Sequence, residues 1–268
     1  MAGLAARYAA AAAALVVFLF PLYWLVVTAL KTPEDMLAYP PVWWPETVHF
    51  GNVASLLGGP DGRAVVNSIV VAAGSTILAV AIGAAGAYAA VRAGLAGRIF
   101  AAWAFASRLV PPVIAAVPFF LVLSDIGWLD STVALVLLYA AFNAPFVLWM
   151  VLSYLRDVPI ALQEAALVAG HTHDEMLLQV AWPMLRGGIL ATAAFTFLLA
   201  WNELAFALVL TGDNAATLPA QLARLDHGPE LWPRVAALSV IGLLPALIAA
   251  ALMHRRLART LSFGFVRD

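Results

Sequence analysis

The residues able to do chemistry are few in this chain, and they are unevenly placed. His171-Thr172-His173-Asp174-Glu175 gathers two imidazoles and two carboxylates within five positions. Residues two apart do not share a helix face, and the His-Glu-x-x-His spacing of a zinc site is absent. No metal site is therefore expected. There is no cysteine, so neither a disulfide framework nor a thiolate site can form. No Gly-x-x-x-x-Gly-Lys phosphate loop occurs, and no nucleophile–base constellation points to an enzyme. The expected set of catalytic residues and of cofactors within this chain is empty. What remains is Arg108 and Glu203, each set in an otherwise apolar run, with Asn202 beside the second. An ionisable group at bilayer depth is costly and usually faces a bundle interior or a watery cavity. Arg108, Asn202 and Glu203 are thus candidates to line a translocation pathway or gate. Two other roles stay open: Arg108 bonding carbonyls freed below Pro111-Pro112, and Asn202-Glu203 bonding a partner chain.

The elements that hold these residues follow from hydropathy. Of 268 residues, 64% are hydrophobic and 11% charged, against about 25% charged in a globular domain. Lipid is the expected solvent. A net charge of −1 gives no case for nucleic acid. Crossing the hydrocarbon core takes about 20 apolar residues as a helix, and six segments qualify: 8–30, 65–91, 99–124, 131–154, 187–211 and 235–253. The runs are continuous rather than alternating, which excludes a β-barrel pattern. The expected fold is one all-α integral membrane domain over 1–268. The first run is longer than the apolar core of about 7–15 residues in a secretory signal, so it reads as an uncleaved span.

Cations set the orientation. With the N-terminus inside, Arg7, Arg92, Arg98, Arg156, Arg186, Arg255, Arg256, Arg259 and Arg267 are cytoplasmic, and Lys31, Arg63, Arg224 and Arg234 are outside. Nine against four places both termini and the connection 155–186 in the cytosol. Arg108 and Glu203 then differ in depth by roughly 10 Å, so a direct pair requires a tilted or broken helix, which Pro111-Pro112 could supply. Outside, the five prolines of 31–64 predict an extended, turn-rich loop, with Trp43 and Trp44 anchoring at the interface or stacking on sugar. Gly212, Pro219, Gly228, Pro229 and Pro233 predict an irregular loop over Thr211 to Arg234. Ala79, Gly83, Gly86, Ala87 and Ala90 allow close helix approach in the second span.

The connection 155–186 is polar and helix-forming. Pro159 suits a first helical turn, and Leu162, Ala165, Ala166 and Ala169 recur on one face. Gly170 can end that helix with a positive φ. Thr172 and Glu175 have capping-box spacing, predicting a second short helix from about His173 to Ala181 that stops near Pro183. Physics alone leaves two uses for the alanine face: docking another protein, or packing on the chain's own inner ends.

Glu164-Ala165-Ala166, Gly170 and Pro183, placed before the penultimate span, resemble the EAA loop of ATP-binding-cassette (ABC) importer permeases. Ala169 and His171 stand where that pattern has Asp and Ala. Pro41-Val42-Trp43-Trp44-Pro45, Phe50-Gly51-Asn52, Asn67-Ser68, Arg108-Leu109-Val110-Pro111-Pro112, Asn143-Ala144-Pro145-Phe146 and Ala200-Trp201-Asn202-Glu203 are, in this order, similar to the maltose-type carbohydrate-uptake branch.

The resemblance implies a permease of the bacterial cytoplasmic (inner) membrane with six transmembrane helices and both termini inside. Glu164, Ala165, Ala166, Ala169, Gly170 and Pro183 would couple it to two ATPase subunits carrying ATP and Mg. A second homologous permease and an extracytoplasmic solute-binding protein complete the implied set of partners, with membrane lipid around them. Asn214, Ala215, Ala216, Thr217, Leu218 and Pro219 would form the loop that reaches the binding protein. The implied cargo is a sugar; polyols, glycerophosphodiesters or polyamines are same-family alternatives. An ion-coupled secondary transporter would use Arg108 and Glu203 for ion coupling, would need no ATPase partner and should show inverted repeats, of which the sequence gives no sign.

Overall fold

A computed structural model describes residues 2–54, 56, 58–225 and 228–262, whose regular elements are all helices, with no strand among them. In chain order the helices are α1 (Ala2–Ala29), α2 (Pro33–Leu37), α3 (Gly51–Ala54), α4 (Gly59–Arg92), α5 (Leu95–Ala106), α6 (Pro112–Asp125), α7 (Thr132–Arg156), α8 (Ile160–Val168), α9 (His173–Glu175), α10 (Trp182–Trp201), α11 (Ala205–Leu210), α12 (Leu218–Arg224) and α13 (Trp232–Ser262). Among the described residues five stretches are long and apolar enough to cross a membrane: Leu4–Ala29, Gly59–Arg92, Thr132–Arg156, His173–Trp201 and Trp232–Ala251.

The run 99–124 is not one straight helix. Leu95–Leu109 and Pro112–Asp125 meet at 90°, and they make a sixth crossing only if the bent pair is taken as one span. Proline disfavours helical backbone in the residue before it. Accordingly Val110 (ψ 118°) and Pro111 (ψ 135°) are extended.

Four other boundaries differ from the sequence reading. The loop 31–64 is not extended throughout. Pro33 and Pro60 each sit in a first helical turn, where a missing N–H is harmless, so they open α2 and α4 instead of excluding them. Thr32 and Asp35 close a capping box on α2. Likewise Pro219 opens α12 inside the loop expected to be irregular. The helix from His173 does not stop near Pro183. It runs on through a π-helical segment, Met176–Ala181, into α10, with the Trp182 N–H donating to the Leu177 carbonyl five residues back. Widening the turn lets the chain pass a residue that has no N–H and crowds the preceding turn. The long helix instead breaks after Trp201, short of the expected 211.

Packing centres on α4 against α7. A Cβ on Gly83 would lie 2.6 Å from the Val147 Cβ and 2.8 Å from the Ala144 carbonyl oxygen, and one on Gly86 would lie 2.8 Å from Leu148 Cδ1. The small residues of α4 thus face the chain's own seventh helix, where Ala79 and Ala87 are fully buried. In lipid such association rests on van der Waals contact rather than on escape from water. One core, with Val147, Val151, Leu152 and Leu155, extends to Ala166, Met176 and Leu177 of the connection 155–186. A second core at the opposite end joins Leu135, Tyr139, Trp201, Phe206, Leu218 and Leu238. By contrast α1 is almost bare, with Leu15, Val16, Val17 and Phe18 all exposed.

Candidate functional site

The connection 155–186 forms a corner. α8 ends in a Schellman arrangement: Gly170 adopts φ +94°, its N–H donates to Leu167, and the His171 N–H donates back to Ala166. Thr172 then caps the next helix. Its hydroxyl accepts from the Glu175 N–H at 3.3 Å while the Glu175 carboxylate accepts from the Thr172 N–H at 2.8 Å. The alanine face is split. Ala166 is buried in the core and Leu167 packs against it, whereas Ala165 and Ala169 are exposed. The outward side carries Ile160, Ala161, Glu164, Ala165 and Val168, spaced as one helix face. Ile160 is 71% and Val168 90% exposed. Pro183 lies farther along, inside α10.

The corner is also tied sideways. Asp174 accepts from the Tyr88 hydroxyl at 2.7 Å and from the Arg92 guanidinium, both at the end of α4. Glu175 is engaged by Thr172, so both carboxylates of the His-rich segment have protein partners. Among the described residues no group of three metal-binding side chains converges.

Within the bundle, Arg108 sits in a 3-10 turn just before the bend at Pro111. Its Nη1 donates to Asn143 Oδ1 at 2.7 Å and to the Phe142 carbonyl at 3.2 Å. The guanidinium lies 5.6 Å from the ring centroids of both Phe142 and Phe146. The carbonyl it bonds belongs to α7, not to the broken helix. One turn earlier on α7, Tyr139 gives its hydroxyl to Glu203 at 2.5 Å, and the Asn143 amide donates to the Tyr139 carbonyl. Glu203 also receives the Phe206 N–H at 3.1 Å and the Ala207 N–H at 3.4 Å. It therefore caps α11, where a carboxylate meets unpaired amides and the positive end of the helix dipole. Arg108 and Glu203 do not pair with each other; each binds α7. Asn202 is exposed and turns back to the Leu198 carbonyl. Sequence reasoning missed Tyr139. The available signal was its spacing of four before Asn143, which puts both on one face.

At the opposite end, the segment 211–219 is pinned from several sides. Asp130 (φ +56°) accepts from the N–H groups of Gly212, Asn214 and Ala215 at 2.8, 3.1 and 2.8 Å, and from the Asn214 side chain. Burial opposes its ionisation, but these donors outweigh it and hold the carboxyl below the usual carboxylate range. Asn67 donates to the carbonyls of Asn214 and Ala216, and the Leu218 N–H reaches Ser68 Oγ. Arg224 bonds the carbonyls of Leu208, Thr211 and Gly212. Asp61, 1% exposed, joins Arg234 of α13 and Gln221 of α12. Of the expected contact residues, Asn214 is exposed, Pro219 half-buried, and Ala215, Ala216, Thr217 and Leu218 buried. Asp130, 82 residues before Gly212, had no sequence signal.

Comparison with known proteins places the chain in a family. A family model described as "Binding-protein-dependent transport system inner membrane component" matches residues 79–262. The chain is 31% identical over 255 residues to the probable ABC transporter permease protein y4oR of Sinorhizobium fredii, covering 94% of this chain and 91% of that one. It is 30% identical over 259 residues to the trehalose/maltose transport system permease protein MalG of Thermococcus litoralis, covering 94% and 92%. Among solved structures it is similar in fold to a bacterial ABC transporter involved in import of the acidic polysaccharide alginate, with a TM-score of 0.73 at 17% identity and coverage of 93% and 94%. The chain therefore belongs to the binding-protein-dependent transport system inner membrane component family and is a multi-pass inner-membrane permease subunit of an ABC importer.

Proposed function

We propose that the imported solute is a sugar and that this permease is driven through α8. The sugar assignment is supported by the trehalose/maltose permease, which matches over nearly the whole length of both chains. The drive is supported by one observation in particular. Gly170 turns the chain so that Ile160, Glu164, Ala165 and Val168 stand outward on a short helix beyond the spans, with Ala166 anchored beneath. Small and apolar side chains around one carboxylate suit a cleft in a separate ATPase subunit, which carries ATP and Mg. Beside α8 a cleft of about 490 Å³ is lined by Arg98 and Arg156, with no carboxylate among its lining residues. That charge favours an acidic partner surface.

In this reading α8 and the chain termini are cytoplasmic. A second permease pairs with this one, and a solute-binding protein docks at the end that carries 211–219. ATPase closure moves the corner at Gly170 and alternates access to a pathway past Arg108, Asn143, Asn202 and Glu203. Glu164→Lys or Gly170→Pro is expected to abolish uptake while the protein stays in the membrane, with loss of ATPase co-purification. Normal uptake and co-purification in both variants would remove α8 from the mechanism.

A further inference from the structure

The docking corner has a second attachment that the drive through α8 alone does not require. Asp174 stands in the first turn after the corner, two residues before the π-helical segment. It takes the Tyr88 hydroxyl at 2.7 Å and the Arg92 guanidinium from α4. Tyr88 and Arg92 are four apart, so both project from one face of α4. Arg92 is the last residue of that helix. The same helix is locked to α7 through Gly83 and Gly86.

We infer that Asp174, with Tyr88 and Arg92, is a positioning set for coupling. It makes the corner after α8 move as one body with α4, so that displacement at α8 reaches the α4–α7 pair as well as α10. Without it the corner would meet the bundle through apolar contact in the shared core, which includes Ala87 and Ala90 of α4, and through two backbone routes. One is α7, entered through the turn at Asp157; the other is the π-helical segment, where widened hydrogen bonding makes a compliant link. Apolar contact and backbone leave the register open, and Asp174 adds the directional bonds that fix the corner on α4. Exposure argues against a role in stability alone: the Arg92 and Asp174 side chains are 53% and 44% accessible, and exposed pairs add little to stability.

The inference rests on the docking reading of α8, and the experiment separates the two. The chain lacks cysteine, so spin labels at Ala93→Cys and His173→Cys report the separation of α4 from the corner. The purified complex is compared without nucleotide and after trapping with Mg-ATP and vanadate, which needs no solute. In the otherwise native chain the separation is expected to stay fixed. With Asp174→Asn it is expected to change on trapping by about 1–2 Å or more, the scale of helix shifts at switching interfaces, while ATPase co-purification is retained. The double swap Arg92→Asp with Asp174→Arg is expected to restore the fixed distance, which a general loss of packing would not do. An unchanged separation in Asp174→Asn, or a swap that fails to restore it, overturns the inference alone. Absence of any co-purifying ATPase from the native chain overturns the docking reading and this inference with it.

Discussion

The Tyr139 hydroxyl donates to the Glu203 carboxylate at 2.5 Å, which ties α7 to the break after α10. Tyr139 is 1% exposed, so its hydroxyl has no recourse to water. Glu203 is consequently an acceptor with three protein donors rather than a free charge. Tyr139→Phe is expected to lower stability by about 1–3 kcal/mol, the cost of a lost bond to a charged group. Glu203→Gln keeps an acceptor for the Phe206 N–H and is expected to fold and transport. Glu203→Ala leaves the first turn of α11 uncapped and is expected to melt earlier in detergent. Abolished uptake in a stably folded Glu203→Gln would instead show that the charge itself acts along the pathway.

Gly83 and Gly86 separate close backbone approach from simple crowding. At Gly83 a Cβ meets Val147 Cβ and the Leu148 and Ala144 backbone. Gly83→Val is therefore expected to cost about 1–3 kcal/mol or more as overpacking. At Gly86 a Cβ meets the far end of the Leu148 side chain, which can rotate. Gly86→Ala is expected to stay close to the native melting temperature. Thermal unfolding of both variants in one detergent provides the comparison.

Asp130 gives the opposite end a pH dependence with a definite sign. Its carboxyl is held below the usual range in the folded chain. Such a group contributes stability above its unfolded value of about 3.9 and loses it as pH falls through the lower folded value. The amides of Gly212, Asn214 and Ala215 are expected to stay protected from hydrogen exchange at neutral pH and to open only in acid below that range. Asp130→Asn is expected to expose them at neutral pH. Equal protection in that variant would show that Asn67, Ser68 and Arg224 suffice.

The outward tip of that loop is Asp213 and Asn214, because Ala215 to Leu218 are buried. Removal of 214–218 would excavate the core around Leu218, so single substitutions are the cleaner probe. Asn214→Asp sets a second carboxylate against Asp130 and is expected to weaken stimulation by the loaded binding protein. Hydrolysis in its absence is expected to be unaffected. A cysteine at position 214 is expected to react with an impermeant reagent from outside, and one at position 171 is not. The reverse pattern would invert the proposed orientation.

Continuous apolar runs made five of the crossing helices legible, since periodicity and length are local properties. The corner at Gly170 and its capping box were legible for the same reason: each is written within six residues. What was not legible depends on distant partners or on cooperative backbone choices. Prolines at 33, 60 and 219 read as breakers, yet a proline in a first turn starts a helix when a cap and packing accept it. The π-helical passage before Pro183 adjusts hydrogen bonding without a composition of its own. Asp174 with Tyr88, and Asp130 with Gly212, are joined across more than eighty residues, and nothing near any of them names its partner. At α8 the alanine pattern identified a face, but only packing shows that Ala166 lies inward while Ile160 and Val168 point out.

The contact at Gly83 has a mechanical consequence. The Val147 Cβ and the Ala144 and Leu148 backbone atoms, which would meet a Cβ at 2.6–2.8 Å, leave no slack for sliding, and packed interfaces of this kind switch as units rather than deform. α4 and α7 thus act as a single post. Rotation elsewhere falls to the joints, and two are built in: the right-angle elbow at Val110-Pro111 and the gap at Asn202 to Leu204. Arg108 sits at the first joint and Glu203 at the second, and both are strapped to the post by side chains of α7. Arg108 and Glu203, the two charges set within otherwise apolar runs, are thus the pins of these hinges.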